Sequence, residues 1–257
     1  MVATHIDADG ISAGAIAKKA LERGGVSAEV MFFKKLDDEA IASLSKTQAD
    51  FVWFTDLGSG SVSKLGAVPT VVSDHHVPDT LSSSGSVSGQ ARIFDFSDVI
   101  HVNPQLHGVS GATDLSGAGA TFLVAAAMDP GNADLSHLAV LGGVGDLQDQ
   151  RTRRLEGLNR EIASLAASVG VLEVVQDIRL FGRETRPLHK MLEYSSDPFL
   201  PGITSDGQAA MSFLLGHGIE LKEGDAWRTW AMLTQEERDT VIGALRDLLA
   251  KKSRRPE

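Results

Sequence analysis

Along its first 150 residues the chain alternates short apolar runs with stretches of helical period, the pattern of a parallel sheet covered by helices. The runs V-A-T-H-I (2–6), A-E-V-M-F-F (28–33), F-V-W-F-T (51–55), P-T-V-V-S (69–73) and V-I-H-V-N (99–103) predict strands. Helices are expected at about 11–23, stopped by Gly24 and Gly25, at about 37–46, and from Ser116 to the D-P-G break at 129–131. Residues 82–90, S-S-S-G-S-V-S-G-Q, read as a connecting surface loop. After Asp149 the texture turns charged and helical, with helices expected at 151–168, about 186–195, 205–216 and 234–251. The expected class is α/β: a parallel sheet with helices on both faces over residues 1–185, then a helical segment over 186–257. A first strand starting at residue 2 and a last helix running into K-K-S-R-R-P-E read as the edges of a piece of a longer protein.

Composition narrows the chemistry. The 42% hydrophobic content of 257 residues is enough for a sizeable core. With no cysteine, disulfides, thiolate zinc sites, iron–sulfur clusters and a thiol nucleophile are excluded, so any metal has to be held by His, Asp and Glu. The N-terminus turns acidic without a basic lead, and no apolar run approaches the ~18 residues of a membrane span, so a cytoplasmic protein without a membrane partner is expected. A net charge of -10 argues against coating long duplex nucleic acid. It leaves room for a nuclease whose acidic site is neutralised by cations and whose substrate is held by local basic patches, such as Arg151, Arg153 and Arg154.

Candidate chemistry lies at the strand ends, where an open parallel sheet binds its ligands. His5, Asp7 and Asp9 follow the first run, Asp56 the third, and Asp74, His75 and His76 the fourth; Asp146 follows the apolar run L-A-V-L-G-G-V-G and is counted with them. Taken singly, each has an ordinary reading as a helix cap, a core histidine or a loop residue. Taken together, the carboxylates would repel one another unless compensated, and two divalent cations would compensate them. Oxygen and imidazole donors without thiolate suit Mn²⁺, Mg²⁺ or Zn²⁺. Gly10 is expected to let the chain turn sharply into the first helix. His101, His107, His137, His189 and His217 read as structural or surface residues, and the tryptophans of W-R-T-W (227–230) as core. The stretch D-L-S-G-A-G-A-T-F lacks the third glycine of a dinucleotide fingerprint and reads as a helix start capped by Ser116.

These residues resemble the motifs of the DHH phosphoesterase superfamily. H-I-D-A-D-G (5–10), F-T-D-L-G (54–58), S-D-H-H (73–76) and G-G-V-G-D (142–146) are similar to its first four motifs, in order. The H-x-D-x-D-G spacing resembles RecJ-type nucleases more than the pyrophosphatase branch. G-D-L-Q-D, G-L-N-R-E-I (157–162), D-P-F-L-P-G and the K-E-G-D-A-W region are similar to archaeal RecJ-like proteins, including those that associate with the GINS replication complex. The resemblance implies two Mn²⁺ or Mg²⁺ ions held by His5, Asp7, Asp9, Asp56, His75 and Asp146, with Asp56 between them. His76 would face the substrate phosphate and Asp74 would orient an imidazole, giving His76, Asp56 and Asp74 as the catalytic group. The implied activity is a metal-dependent exonuclease on single-stranded DNA or RNA in replication or repair. A GINS-binding replisome scaffold, or a pyrophosphatase or short-oligonucleotide phosphodiesterase, are the alternatives. The glycine-rich motif of the second RecJ domain is not found, so that domain is expected to be absent from this chain.

Overall fold

A computed structural model describes residues 1–44, 46–65, 68–79, 99–175 and 177–253; the Ser/Gly stretch at 82–90 lies outside them. These residues form two compact units, Met1–Val175 and Gln176–Glu257. The division falls ten residues before the expected 185/186, and the reason is local. Leu180 is buried in the core of the second unit with Ile178 packed against it, and Asp177 accepts from the indole N–H of Trp230 at 3.0 Å.

Among the described residues the first unit holds a five-stranded sheet of β1 (Val2–His5), β2 (Val30–Phe33), β3 (Val52–Thr55), β4 (Thr70–Ser73) and β5 (Val99–Val102). The spatial order is β2-β1-β3-β4-β5, and each of these neighbouring pairs is parallel. Alternation along the strands sends apolar side chains to both faces. Val2 and Trp53 join Ala17, Leu21 and Ala28 on one side, while Ala3, Phe54 and Val72 join Leu44 and Leu57 on the other. The register pairs Val2 with Trp53 and Val52 with Thr70, so the strands end at one edge. The strand order changes direction between β1 and β3, which is where a sheet of this kind opens a crevice.

Helix α1 (Ala8–Arg23) starts immediately after β1 because Asp7 caps it, its Oδ1 accepting from the Gly10 N–H at 2.9 Å. It begins three residues earlier than expected, which puts Gly10 inside the helix. Gly10 is required there by close approach instead of a turn, since a Cβ would lie 2.4 Å from the His5 carbonyl oxygen. The short α2 (Asp38–Leu44) lies in the expected 37–46 stretch. Ser116 caps α3 (Gly117–Met128) as expected, accepting from the Gly119 N–H at 3.1 Å.

The run L-A-V-L-G-G-V-G is a helix, α4 (Ser136–Gly145), so Asp146 follows a helix end and not a strand end. The run is apolar because the helix is packed among others. Its glycines admit the neighbours: a Cβ on Gly142 would meet Ala118, and one on Gly145 would meet Ala8, at 2.4 and 2.5 Å. The helix expected over 151–168 is shortened to α5 (Gly157–Ser168). Arg153 and Gly157 have φ of 62° and 53°, left-handed backbone that interrupts a helix. Ala13, Ile16 and Ala20 of α1, Phe122 of α3, Ala139 of α4 and Ile162 of α5 share one buried cluster.

The second unit contains α6 (Leu188–Glu193), α7 (Gly207–Gly216) and α8 (Gln235–Ser253), close to the expected stretches. The K-E-G-D-A-W segment forms a small antiparallel hairpin, β6 (Lys222–Glu223) and β7 (Ala226–Trp227), turning at Gly224 with φ of 59°. Leu188, Leu192, Leu214, Trp230 and Val241, each no more than 1% exposed, lie in its core. No described helix is long and apolar enough to cross a membrane.

Candidate metal centre

The carboxyl ends of β1, β3 and β4 and the start of α1 bring the strand-end residues together. Asp56 follows β3 with φ of 57°, a left-handed conformation that an aspartate adopts at lower cost than most residues. Gly117 presses against its side chain, since a Cβ there would lie 2.2 Å from Asp56 Oδ1. Asp56 is 1% exposed, and its Oδ1 has no aligned hydrogen-bond donor. His75 Nε2 lies 3.2 Å from that oxygen, 3.7 Å from Asp9 Oδ2 and 3.8 Å from Asp146 Oδ2. On the other side of Asp56, His5 Nδ1 lies 3.7 Å from its Oδ2 and 2.8 Å from Asp7 Oδ2.

Two ligand groups result: His5, Asp7 and Asp56, and Asp9, His75 and Asp146, with the ligand atoms in each within 4.8 Å of one another. Asp56 Oδ1, facing His75, links the first group to the second. All six residues expected to hold metal are thus placed together, including Asp146 from its helix end. Asp74 also lies close, in a group with Asp56, His75 and His76. Its oxygens are already engaged, however: Oδ2 accepts from the Ser59 N–H at 2.9 Å, and Oδ1 from the N–H groups of His75 and His76 at 2.7 and 3.1 Å. Asp74 therefore shapes the loop, and its Oδ1 holds the His76 ring at 2.8 Å from Nδ1.

The electrostatics call for positive charge. Burial pushes the Asp56 carboxyl up to about 8, against the pull of His75 and with the nearby charges of Asp9 and Asp74 adding to it. Burial also raises Asp9, although His75 and the amides of Ala118 and Gly117 oppose it. For His75 burial disfavours the charged ring, but Asp56 and then Asp9 outweigh it and hold the imidazole up to about 10. Asp74 behaves in the opposite way. Burial works against its charge, yet the His76 ring and the backbone N–H groups of Ser59 and His76 hold its carboxyl well below the usual range. His76 is raised mainly by its hydrogen bond to Asp74.

Buried acids pushed toward their protonated forms, beside an imidazole pulled toward its charged form, mark a place where cations would be favoured. Buried carboxylates that cannot all ionise together, an Asp56 oxygen with no aligned hydrogen-bond donor and an oxygen-and-imidazole donor set fit divalent ions of the Mn²⁺ or Mg²⁺ kind.

Several contributors escaped the sequence reading. Ser59 Oγ lies 2.8 Å from His101 Nε2, and Asn103 Nδ2 donates to Ser59 Oγ and to the His76 carbonyl, both at 2.8 Å. His101 is thus structural, one of the two roles expected for it, and burial lowers its pKa. Gln105 Nε2 donates to the His75 carbonyl at 2.6 Å. Gly111 sits so close that a Cβ would meet that carbonyl oxygen at 2.1 Å. Asn159 carried a readable signal, being polar on the buried side of α5 in line with Ile162 and Ala166. Elsewhere, Trp230 is core as expected, whereas Trp227 is 41% exposed and rests on His189 with ring centroids 4.5 Å apart. Arg151, Arg153 and Arg154 are exposed.

Residues 180–254 match the DHH-CID domain family. An uncharacterized protein of Methanocaldococcus jannaschii is 30% identical over 224 residues, covering 85% of this chain and 48% of that protein. The chain therefore spans about half the length of that relative. CDC45 from Entamoeba histolytica is similar in fold, with a TM-score of 0.54 at 12% identity over 96% of this chain and 52% of that one. A structure of the exonuclease RecJ bound to manganese aligns with a TM-score of 0.47 at 18% identity over 98% of this chain and 61% of that one.

Proposed function

We propose that this chain, whose residues 180–254 match the DHH-CID domain family, is a DHH/RecJ-like two-metal phosphodiesterase that removes nucleotides from single-stranded nucleic acid. The observation that carries the reading is the pair of three-residue ligand groups meeting at Asp56, a carboxylate enclosed by the fold whose Oδ1 has no aligned hydrogen-bond donor. His5, Asp7 and Asp56 would hold one divalent ion, and Asp9, His75 and Asp146 the other. When bound, such ions polarise phosphate oxygens and acidify water for in-line attack.

The chain's own residues supply the remainder. His76 is 54% exposed at its side chain while its Nδ1 is held by Asp74, which leaves Nε2 facing outward. Its raised pKa keeps the ring able to donate to an anionic phosphate oxygen or to a leaving group. Asp74 is the orienting carboxylate, locked by three backbone N–H groups. The preference for a polymer over pyrophosphate rests on the H-x-D-x-D-G spacing of the first motif.

The test is nucleotide release from a single-stranded oligomer with and without Mn²⁺, beside pyrophosphate and a dinucleotide. Metal-dependent release from the oligomer, abolished in both Asp56→Ala and His75→Ala, is expected. Activity that survives in both variants sinks the reading. Protein that carries no manganese by elemental analysis and releases nothing would point instead to a scaffold, with association to GINS as the thing to measure.

A further inference from the structure

Gln148 and Asn159 are side-chain amides buried at 5% and 2% exposure, and neither belongs to the four motifs. Their orientation is not free. The Ser116 N–H donates to Asn159 Oδ1 at 3.2 Å, so Asn159 Nδ2 faces the other way and donates to Gln148 Oε1 at 2.6 Å. Gln148 Nε2 is thereby left as a donor, and it reaches the Gly111 carbonyl at 2.9 Å and Asp146 Oδ2 at 2.8 Å.

The Gly111 carbonyl also receives His75 Nδ1. A carbonyl only accepts, so Nδ1 carries a proton and Nε2 is the atom turned toward Asp9, Asp56 and Asp146. Ser116 caps α3, whose Gly117 and Ala118 N–H groups hold Asp9 at 2.7 and 2.9 Å. Asp9, Asp146 and His75 are therefore all tied to one helix start: Asp9 directly, Asp146 through the two amides, and His75 through the amides and a carbonyl.

Among the described residues the other group has fewer and more exposed supports. The side chain of Asp7 is 50% exposed and serves as the cap of α1. His5 Nε2 reaches only the Lys34 carbonyl, at 3.1 Å in an exposed setting, and Asp56 Oδ1 has no aligned donor.

We propose that Gln148 and Asn159 are positioning residues that preorganise Asp9, His75 and Asp146 as the tighter of two metal positions, leaving His5, Asp7 and Asp56 as the weaker. The inference rests on the metal reading above and concerns how its two positions differ. Hydrogen-bonding partners of metal ligands typically change affinity about 10- to 100-fold when lost.

The experiment is Mn²⁺ titration of the full chain by calorimetry, with bound ions counted by electron paramagnetic resonance. It compares the wild type with Gln148→Met, which keeps the shape and loses the donor, and Asn159→Asp, which keeps the acceptor for Ser116 and loses the donor to Gln148. The expected result is two steps in the wild type, with the tighter one weakened about 10- to 100-fold in both variants and the weaker one unchanged. Nitrogen NMR of the His75 ring in Mg²⁺-loaded protein should show a protonated Nδ1 in the wild type and a loss of that preference in the variants. If Gln148→Met does not fold, Asn159→Asp decides. Two unaltered steps in the variants overturn the inference and leave the phosphodiesterase reading standing. Equal weakening of both steps overturns it as well, by reducing the amides to general structural support. A wild type that binds no Mn²⁺ removes the phosphodiesterase reading and the inference with it.

Discussion

In the sheet unit the most enclosed groups include Asp9, Asp56 and Asp74, each 1% exposed, whereas in the C-terminal unit they are Leu192, Leu214, Trp230 and Val241. Acids in the second unit sit toward the rim with partners: Glu237 takes Arg228 in a two-pronged pair at 2.7 and 2.8 Å, and Asp177 takes the Trp230 indole. Apolar burial stabilises a fold directly, while burying a carboxylate is costly unless something compensates it. The second unit is closed by its own side chains. The sheet edge instead gathers buried acids whose charge its own side chains do not fully offset, which is the difference in kind on which the proposed metal site rests.

The sharpest way to break that contrast is at Asp56. Asp56→Asn removes the charge and keeps the shape, and metal-dependent release of nucleotides should fall by at least about 10³-fold, the several kcal/mol ascribed to metal-ion stabilisation of a transition state. Steady-state turnover in Mn²⁺ measures it, and a loss below tenfold would show that Asp56 is not central. In the second unit, truncating Leu214, fully buried on α7, probes packing alone. Leu214→Ala should cost about 2–5 kcal/mol through lost burial and the cavity left behind, read by urea unfolding of that unit. A cost under about 1 kcal/mol would show that its core relaxes into the gap.

Much of the site was legible because parallel strands carry their chemistry at one end. His5, Asp56 and Asp74 could be picked out as polar residues closing or following apolar runs, and the sheet order places them side by side. Asp146 was identified beside the wrong kind of element, since a helix buried among helices and a buried strand both read as continuous apolar runs. The supports were harder to see. Gln148, Asn159, Gly111 and Ser116 meet across separations of up to 43 residues through single hydrogen bonds, which leave no periodicity. Gln148 and Asn159 lie in the G-D-L-Q-D and G-L-N-R-E-I stretches, but only the polar residue on the buried side of α5 hinted at a supporting role. The unit boundary was drawn late because the segment just after residue 176 reads as irregular chain, although Ile178 and Leu180 belong to the following core.

Acidity should separate the two regions by sign. In chelator-treated protein, Asp56 titrates at about 8 in the fold against 3.8 as a free carboxyl, so the folded state keeps a proton that the unfolded chain gives up. The stability of the sheet unit should therefore fall as pH rises from about 4 to 8. His75 acts in the same direction once Asp56 has ionised, because its raised pKa comes from the Asp56 carboxylate, and that contribution is lost as pH rises through about 10. Asp56→Asn should flatten this slope, with a difference on the order of 1–3 kcal/mol between pH 5 and 8. Mn²⁺ should abolish it in the wild type. Denaturant midpoints across pH decide the matter, and equal slopes for wild type and variant would show that Asp56 does not carry an enclosed proton.

The smallest expected effect lies in the second unit and runs the other way. Arg228 holds Glu237 down to about 2 from 4.5, helped by the Thr234 N–H, so the pair's contribution is fully present above pH 4.5 and fades as pH falls toward 2. With side chains 12% and 23% exposed, the pair is partly screened by solvent, and its net worth is on the order of 1 kcal/mol. Glu237→Gln should lower the unit's stability by that amount at pH 7 and by about a quarter of it at pH 2.5, measured by urea unfolding at both values. Loss of equal size at the two pH values would show that the ion pair is not the cause, because a glutamine can still accept from the Thr234 N–H whereas only the carboxylate attracts Arg228.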